Sequence, residues 1–219
     1  GSSASAIVAG VTLARALIGD ADVLGRQEIL EIGSHMEGHP DNVAPAVFGG
    51  ATVSWMNEET SEVGSVRLTP PEGIDPVAFI PDFELRTAAA RAALPATVPH
   101  GDASFNVARG ALLAAILSGG AQASGGVNLH ALLMEATRDR LHQEQRRAAM
   151  EPSLALVDWL RGAGFAAVVS GAGPTVLSLE KVGVDIRRDA AGAGWRVVPL
   201  AVAASGVQIT RGSLAKVEF

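Results

Sequence analysis

The sequence predicts an α+β fold, in which helices and strands are mixed without the strict alternation of a parallel-sheet protein. Three features of the 219 residues support this prediction. Apolar residues recur at helical spacing near the start, two strand-like runs follow at 51–55 and 65–69, and the last third alternates strands with a turn and a helix. Hydrophobic residues make up 48% of the chain and charged residues 18%, a balance that supplies a core rather than disorder.

The first 50 residues are predicted to be helical. Apolar residues three or four apart predict a helix from about Ser3 to Leu17, ended by Gly19. A second helix is expected from Val23 to Met36. Asp41 can then cap a short helix across 42–48.

The segment TPPEGIDP at 69–76 is the best candidate for a linker, because its prolines and glycine interrupt both helix and strand. It separates a predicted first domain, residues 1–70, from a second, residues 71–219. The elements expected in the second domain are a strand at 77–81, helices near 87–93, 103–117, 129–136 and 153–164, strands at 165–170 and 175–180, a helix at 184–194, and strands at 195–202 and 207–210.

Composition excludes several classes of function. The net charge of −6 argues against a general nucleic-acid or anionic-membrane binder, whose affinity comes from clustered Lys and Arg. The absence of cysteine excludes disulfides and thiolate chemistry. No apolar run reaches the ~20 residues of a membrane-spanning helix. Without a recognisable targeting segment, we expect a cytoplasmic protein.

GSSAS at 1–5 is the first candidate for chemistry. Small residues that open a helix leave backbone N–H groups and hydroxyls at the positive end of the helix dipole, which suits a phosphate. A serine hydroxyl there can also bind Mg²⁺ held against the phosphates. The plainer interpretation is an N-cap whose small residues allow close packing.

The second candidate, MEGHPDN at 36–42, gathers two acids, an imidazole and an amide around one proline. A tight turn at the proline can point His39, Asp41 and Asn42 to a common side. Glu37 adds a hard oxygen donor, and a carboxylate together with phosphates is how Mg²⁺ is usually held. An ordinary turn in which Asp41 caps the next helix is the alternative.

Two further segments are candidates. SGAGPT at 170–175 is a glycine-rich turn between strands, and either a tight hairpin or a close approach to a ligand explains it. Arginines lie in polar contexts at 85–95 and 141–150. Thr87 and Arg91 are one helical turn apart, and an arginine can hold a carboxylate in a bidentate fork. The alternative for each arginine is a solvated helix face.

The order of these segments resembles the GHMP kinase superfamily: a GSSA helix start, then EGHPDNVAPAVFGG, then a late SGAGPT turn. The middle motif is most similar to the homoserine kinase family, and the resemblance continues through LRTAAARAALPATVPHGDASFNVARGALL and LHQEQR. It implies an N-terminal domain like ribosomal protein S5 domain 2, here partial, and a ferredoxin-like C-terminal domain. It also implies transfer of the γ-phosphoryl group of ATP, with Mg²⁺, to L-homoserine in threonine biosynthesis.

The resemblance assigns roles to individual residues. Gly1, Ser2 and Ser3 match the end of the family's phosphate-binding Gly-Leu-Gly-Ser-Ser motif, with Ser3 and Glu37 as Mg²⁺ ligands. His39, Asp41 and Asn42 are assigned to the substrate site. The remaining matches are Thr87, Arg91 and Arg146 around the amino-acid end of the substrate, and Gly171, Ala172 and Gly173 in the third motif, which supports the phosphate loop. Glu37, Asn42 and Arg91 are the residues expected to carry catalysis.

The start of the sequence departs from the family pattern. The family's first motif and the residues that lead into GSS are not in the chain, so we expect a piece of a longer protein, weak or inactive by itself, with exposed apolar surface on Ile7, Val11 and Ile18. Homodimers are compatible with the family. The alternatives are a GHMP kinase for another small alcohol, or a truncated binding module without catalysis.

Overall fold

A computed structural model of the chain describes residues 1–18, 24–121 and 124–210. The chain divides into two compact units. The first unit contains Gly1–Thr69 together with residues 203–210, and the second contains Pro70–Val202. The assignment of residues 1–70 and 71–219 to an ATP-binding domain and a C-terminal domain stays a prediction.

Three helices form the core of the first unit: α1 (Ser2–Ile18), α2 (Arg26–Glu37) and α3 (Val43–Phe48). The helical predictions for this region are confirmed, although Gly19 and Val23, the predicted limits of two helices, lie outside the described residues. The side chains buried between the helices are Ala4, Val8, Ile29, Leu30, Val43 and Val47. Each of the larger ones contributes roughly 1.5–3 kcal/mol by burial.

The strands β1 (Ala51–Met56) and β2 (Val63–Leu68) form an antiparallel hairpin, as the sequence predicts. Asn57, at the start of the turn between these strands, stabilises the turn with its side chain. The side-chain oxygen of Asn57 accepts hydrogen bonds from the amides of Glu59 and Thr60, at 2.8 and 3.0 Å. An asparagine that bonds its own backbone in this way is typical of turns.

Residues 203–210 pack against the first unit, although the sequence assigned them to the second domain. The Gly50 amide donates to the Ala203 carbonyl at 2.7 Å, and the Val207 amide to the Ala46 carbonyl at 2.8 Å. A side chain on Gly206 would lie 2.3 Å from the Val47 carbonyl, so only glycine allows this approach. The prediction of a strand at 207–210 is wrong, because the segment bonds to a helix rather than to a strand.

The second unit is built on a four-stranded antiparallel sheet. Its elements are β3 (Val77–Ile80), α4 (Thr87–Ala92), α5 (His100–Leu117), α6 (Leu129–Ala136), a 3-10 segment (Glu144–Ala149), α7 (Glu151–Gly162), β4 (Ala167–Val169), β5 (Val176–Ser178), α8 (Val184–Gly192) and β6 (Arg196–Pro199). The strand order is β4-β5-β3-β6. This order, with helices between β3 and β4 and between β5 and β6, is the ferredoxin-like arrangement, which confirms the predicted α+β class.

Helix α7 covers the sheet of the second unit with an apolar stripe. Leu154, Val157 and Leu160 recur at helical spacing and are buried against Phe79 and Val176 of the sheet. Pro152 lies in the first turn, where its missing N–H costs no hydrogen bond. A second cluster joins α5 and α6 through Ile116 and Leu133.

The outer face of α1 is apolar and open to solvent. Leu13, Leu17 and Ile18 are 60%, 79% and 66% exposed. The expected exposure is therefore correct for Ile18, whereas Ile7 and Val11 are half-buried. Among the helices described, none has both the length and the apolar character to cross a membrane.

Candidate functional site

The start of α1 presents backbone amides and hydroxyls together. The first helical hydrogen bond runs from the Ser5 amide to the Gly1 carbonyl, at 3.0 Å, so the amides of residues 2–4 precede it. Ser2 and Ser3 are exposed, while Ala4 is buried and anchors the turn in the core. These N–H groups lie at the positive end of a 17-residue helix dipole, an arrangement suited to a phosphate group.

Ser3 lies against the last residue of α2. Its hydroxyl donates to Glu37 Oε1 at 2.5 Å. Helix α2 ends at this point because Gly38 adopts the left-handed conformation, with φ of 86°, and its amide bonds back to the Ser34 carbonyl. The fold therefore brings an exposed hydroxyl and a carboxylate, 34 residues apart in sequence, into direct contact.

The Ser3–Glu37 pair fits Mg²⁺ in its donor chemistry. Both groups are hard oxygen donors, and Mg²⁺ is typically held by one or two protein oxygens together with phosphates and water rather than by a protein cage. Within the described ranges, no group of three or more His, Cys, Asp or Glu side chains is placed to hold a metal ion. A Mg²⁺ site at Ser3 and Glu37 therefore depends on phosphate oxygens to complete it.

The loop after Gly38 places the other predicted polar groups beside the helix start. His39 Nδ1 lies 2.6 Å from Asp41 Oδ1, and Asn42 Nδ2 donates to the same oxygen at 3.2 Å. A side chain on Gly1 would lie 3.0 Å from Asn42 Oδ1, so this amide lies directly over the first residue. The chain thus brings Gly1, His39, Asp41 and Asn42 together.

Asp41 does not cap α3, contrary to the prediction. The N-cap position is Asn42, and no side chain donates or accepts a capping hydrogen bond there. The carboxylate of Asp41 accepts from the Asn42 side chain and lies beside His39 instead of bonding to the amides of α3.

Thr87 and Arg91 lie one turn apart on α4, as the sequence predicts. Both side chains are exposed. Neither has a hydrogen-bond or ion-pair partner within the part of the chain that the structure describes. They are free to contact a ligand.

Arg146 is buried, with 8% of its surface exposed, so the alternative of a solvated helix face is wrong for this residue. Its Nε donates to the Ala90 carbonyl and its Nη1 to the Gly171 carbonyl, both at 3.1 Å. No carboxylate pairs with it among the described residues. Arg146 therefore connects α4 to the glycine-rich turn through its two carbonyl acceptors.

The glycine-rich turn joins β4 to β5 as a tight hairpin. Gly171 and Gly173 have φ of 60° and 85°, which favour glycine. A side chain on Gly173 would collide with Met150, 2.6 Å away at the sulfur, so the turn packs closely on the core. Ala172 also contacts this core. The ligand role of Gly171, Ala172 and Gly173 stays a prediction.

Asp139, which the sequence analysis missed, is the centre of a hydrogen-bond network. Its carboxylate accepts from the Asn106 side chain at 2.7 Å and from the amides of His142 and Gln143 at 2.8 and 2.7 Å. Burial alone would raise the pKa of Asp139, but the bonds from Gln143, Asn106 and His142 outweigh it and lower the pKa to about 2. An aspartate three residues before a turn's amide is the pattern that could have indicated it.

A cavity of about 590 Å³ in the second unit is bordered by this network. Its apolar side is formed by Leu113 of α5 and by Val168 and Leu177 of the sheet, and Arg109 lies on its polar side. The guanidinium of Arg109 stacks on the Phe105 ring at 3.7 Å and pairs with Glu135. Its charge is therefore already compensated.

Two family models match separate segments of the chain. Residues 1–50 match the model described as GHMP kinases N terminal domain, and residues 113–181 match the model described as GHMP kinases C terminal. The two matched segments contain the Ser3–Glu37 pair and the Asp139–Arg146 segment, respectively.

Curated relatives named homoserine kinase align with nearly the whole chain. The protein from Streptomyces avermitilis is 44% identical over 211 residues, which are 95% of this chain and 66% of the relative. The protein from Corynebacterium kroppenstedtii is 41% identical over 221 residues, which are 98% of this chain and 67% of the relative. The chain thus spans about two thirds of the length of the curated relatives it matches, and less of some.

A solved structure supports the fold. The crystal structure of homoserine kinase from Cytophaga hutchinsonii superposes with a TM-score of 0.74 at 21% identity, covering 91% of this chain and 64% of that one.

Proposed function

This chain belongs to the homoserine kinase family of GHMP kinases, and we propose that the whole protein transfers the γ-phosphoryl group of ATP to L-homoserine, giving O-phospho-L-homoserine for threonine biosynthesis. The observation that carries the proposal is the contact between Ser3 and Glu37 at the start of α1. It joins a phosphate-binding helix start to a carboxylate with no other hydrogen-bond partner among the described residues.

Phosphoryl transfer depends mainly on positioning and on neutralising charge, so residues that bind and orient are sufficient to account for it. Mg²⁺, when bound, neutralises charge on the β- and γ-phosphates. In the proposal Ser3 and Glu37 hold the metal, while Gly1, Ser2 and the first amides of α1 bind phosphate oxygens. The exposed position of Ser2 and Ser3 supports this role.

The loop at 39–42 is proposed to orient the alcohol. Asn42 offers an amide that can donate and accept, and it lies beside Gly1, at the start of the phosphate-binding turn. Asp41 Oδ1 accepts a hydrogen bond from Asn42 and lies 2.6 Å from His39 Nδ1, so it orients the Asn42 amide and adjoins the imidazole. We assign His39, Asp41 and Asn42 to the substrate on this basis.

Three residues of the second unit are proposed to recognise the amino-acid end of the substrate. Arg91 has no side-chain partner in the described part of the chain and can bind a carboxylate bidentately, and Thr87, one turn before it, is likewise unpaired there. Arg146 has no ion-pair partner among the described residues, so its charge is available to an anionic group. A homodimer and a cytoplasmic location stay predictions.

The test is ADP release by the whole protein from MgATP and a panel of alcohols: L-homoserine, L-serine, L-threonine and mevalonate. We expect turnover that is confined to L-homoserine and is lost in Glu37→Ala. Turnover of another alcohol instead would assign the protein to a different GHMP kinase. A folded protein that turns over none of the four would contradict kinase activity and favour a binding module.

A further inference from the structure

Asp139 shapes the segment that carries Arg146. Both of its carboxylate oxygens are occupied: Oδ1 accepts from the Asn106 side chain and from His142 Nδ1, and Oδ2 accepts from the amides of His142 and Gln143. Since the side chain of Asp139 is only 13% exposed, little water competes for these bonds. The carboxylate therefore fixes the backbone of residues 139–143 in one turn.

That turn leads directly into Arg146. The Arg146 amide bonds to the carbonyls of His142 and Gln143, at 3.3 and 3.1 Å, so its backbone position follows from theirs. Gln143 adds a second attachment, because its side-chain oxygen accepts from the Val169 amide at 2.7 Å. The turn is thus fixed to α5 through Asn106 and to the end of β4 through Gln143.

The Arg146 side chain continues the same series of contacts. Its two bonds to the Ala90 and Gly171 carbonyls leave Nη2 without a hydrogen-bond acceptor among the described residues. A small shift of the turn would move the guanidinium away from these two carbonyls, because they belong to other elements of the fold. A displacement of about 1 Å in a binding group can cost ~100-fold in rate.

We propose that Asp139 is a positioning residue for the phosphorylation of L-homoserine, which acts by holding Arg146 in the orientation that binds the substrate. This inference rests on the function proposed above, in which Arg146 recognises the amino-acid end of the substrate. In the proposed role, Asp139 itself contacts neither the substrate nor the metal. Its effect on the reaction is transmitted entirely through Arg146.

Asp139→Asn is the sharpest substitution, because it keeps the shape and changes one acceptor into a donor. In either orientation the new NH₂ group faces a donor, either Asn106 Nδ2 or the amides of His142 and Gln143. We expect the KM for L-homoserine to rise ~10–100-fold, with a smaller change in kcat. Glu144→Gln is the matched control, since it removes a carboxylate from the same segment whose side chain bonds only to Arg147 among the residues described.

A mutant cycle with Arg146→Lys separates positioning from a general structural role. If Asp139 acts through Arg146, adding Asp139→Asn to Arg146→Lys should lower kcat/KM for L-homoserine by no more than ~2–3-fold. Two results would overturn the proposal: effects that multiply in the double variant, or Asp139→Asn that lowers thermal stability while KM stays at the wild-type value below the melting temperature.

Asn106→Ala is the second variant, for use if Asp139→Asn does not fold. It removes one of the bonds to Asp139 and leaves the carboxylate in place. We expect a rise of a few-fold in KM for L-homoserine, suppressed in the Arg146→Lys background, and an unchanged KM would contradict the proposal. Wild-type turnover is measured first: its absence refutes the proposed function, and this inference with it, whereas wild-type turnover with unaltered variants refutes the inference alone.

Discussion

The two groups of candidate residues differ in how far the fold already uses their side chains. In the first unit, Ser3 bonds to Glu37 and Asp41 lies against His39, so these polar groups mainly contact one another at the surface. In the second unit, Arg146 and Asp139 are buried or nearly so, and they bond to backbone atoms of several elements.

This difference distinguishes residues that can bind a ligand from residues that stabilise the fold. A side chain whose only partner is another candidate residue can exchange that partner for a ligand at little cost to the fold. A buried side chain that satisfies backbone groups cannot be removed without leaving them unpaired. Substitutions in the first group should therefore change activity alone, and those at Arg146 and Asp139 should change both activity and stability.

Glu37→Gln should have the largest effect on activity and a minimal effect on stability. The substitution keeps the size of the side chain and removes the charge next to Ser3, so the proposed metal site loses its only carboxylate. We expect kcat to fall by ~10²–10³-fold, the range seen when one electrostatic stabiliser of a transition state is removed. Steady-state kinetics with MgATP and L-homoserine measure the change.

The control for Glu37 is Glu31→Gln, on the same helix. Within the described ranges, Glu31 accepts a side-chain hydrogen bond only from Gln27, at 2.9 Å, and bonds to none of the candidate residues. Its kcat should stay within ~2-fold of wild type, since isolated surface contacts contribute little. If kcat falls equally in both variants, the loss comes from changing helix α2 and not from removing the contact with Ser3.

Arg146→Met and Arg91→Met should both weaken binding of L-homoserine but differ in stability. Arg146→Met leaves the Ala90 and Gly171 carbonyls without their donor. We therefore expect the free energy of unfolding to fall by about 2–4 kcal/mol. Arg91 is exposed, so its replacement should change the free energy of unfolding by no more than about 0.5 kcal/mol. Urea denaturation and the KM for L-homoserine measure the two effects.

Two results would contradict the expected difference between Arg146 and Arg91. If Arg146→Met binds L-homoserine as wild type does, the residue is purely structural. If Arg91→Met is as destabilised as Arg146→Met, exposure does not separate the two groups.

Local sequence patterns indicated the candidate residues of the first group, because they lie within short segments, while their ligand roles stay predictions. GSSAS at a helix start and MEGHPDN after a helix end are each readable from spacing, and their contact follows from two adjacent helices. The burial of Arg146 could not be predicted in this way, since its acceptors are 56 residues before it and 25 after it. The local turn at Asp139 could have been recognised from the sequence, but its bond to Asn106, 33 residues away, could not.

The stability that Asp139 provides should disappear at low pH. Its folded-state pKa of about 2 lies below the ordinary value of 3.8, so the stabilisation is complete above about pH 4 and is lost as pH falls through 2. The whole effect is about 2 kcal/mol, of which about 1 kcal/mol is lost by pH 3. The difference in unfolding free energy between wild type and Asp139→Asn should therefore shrink between pH 6 and pH 3, as urea denaturation at each pH can measure.

Asp102→Asn is the control for removing a carboxylate beside this turn. Asp102 pairs with Arg140 at 3.3 Å near the surface, so its replacement should change the free energy of unfolding by only about 0.5 kcal/mol at pH 6. A difference for Asp139→Asn that is constant from pH 6 to pH 3 would mean that the carboxylate is not held in its charged form by the turn.

The smallest effect is expected for Glu144→Gln, which tests whether the 3-10 segment depends on surface charge at all. Glu144 forms a bidentate pair with Arg147, at 2.7 and 2.8 Å, and this pairing lowers the pKa of Glu144. The pair is solvent-exposed, and Arg147 keeps a second partner in Asp158 at 3.0 Å. We therefore expect a change of about 0.5 kcal/mol or less in unfolding free energy, and none in the KM for L-homoserine. A larger loss would place part of the support for Arg146 in this ion pair and weaken the case for Asp139 as the residue that fixes the segment.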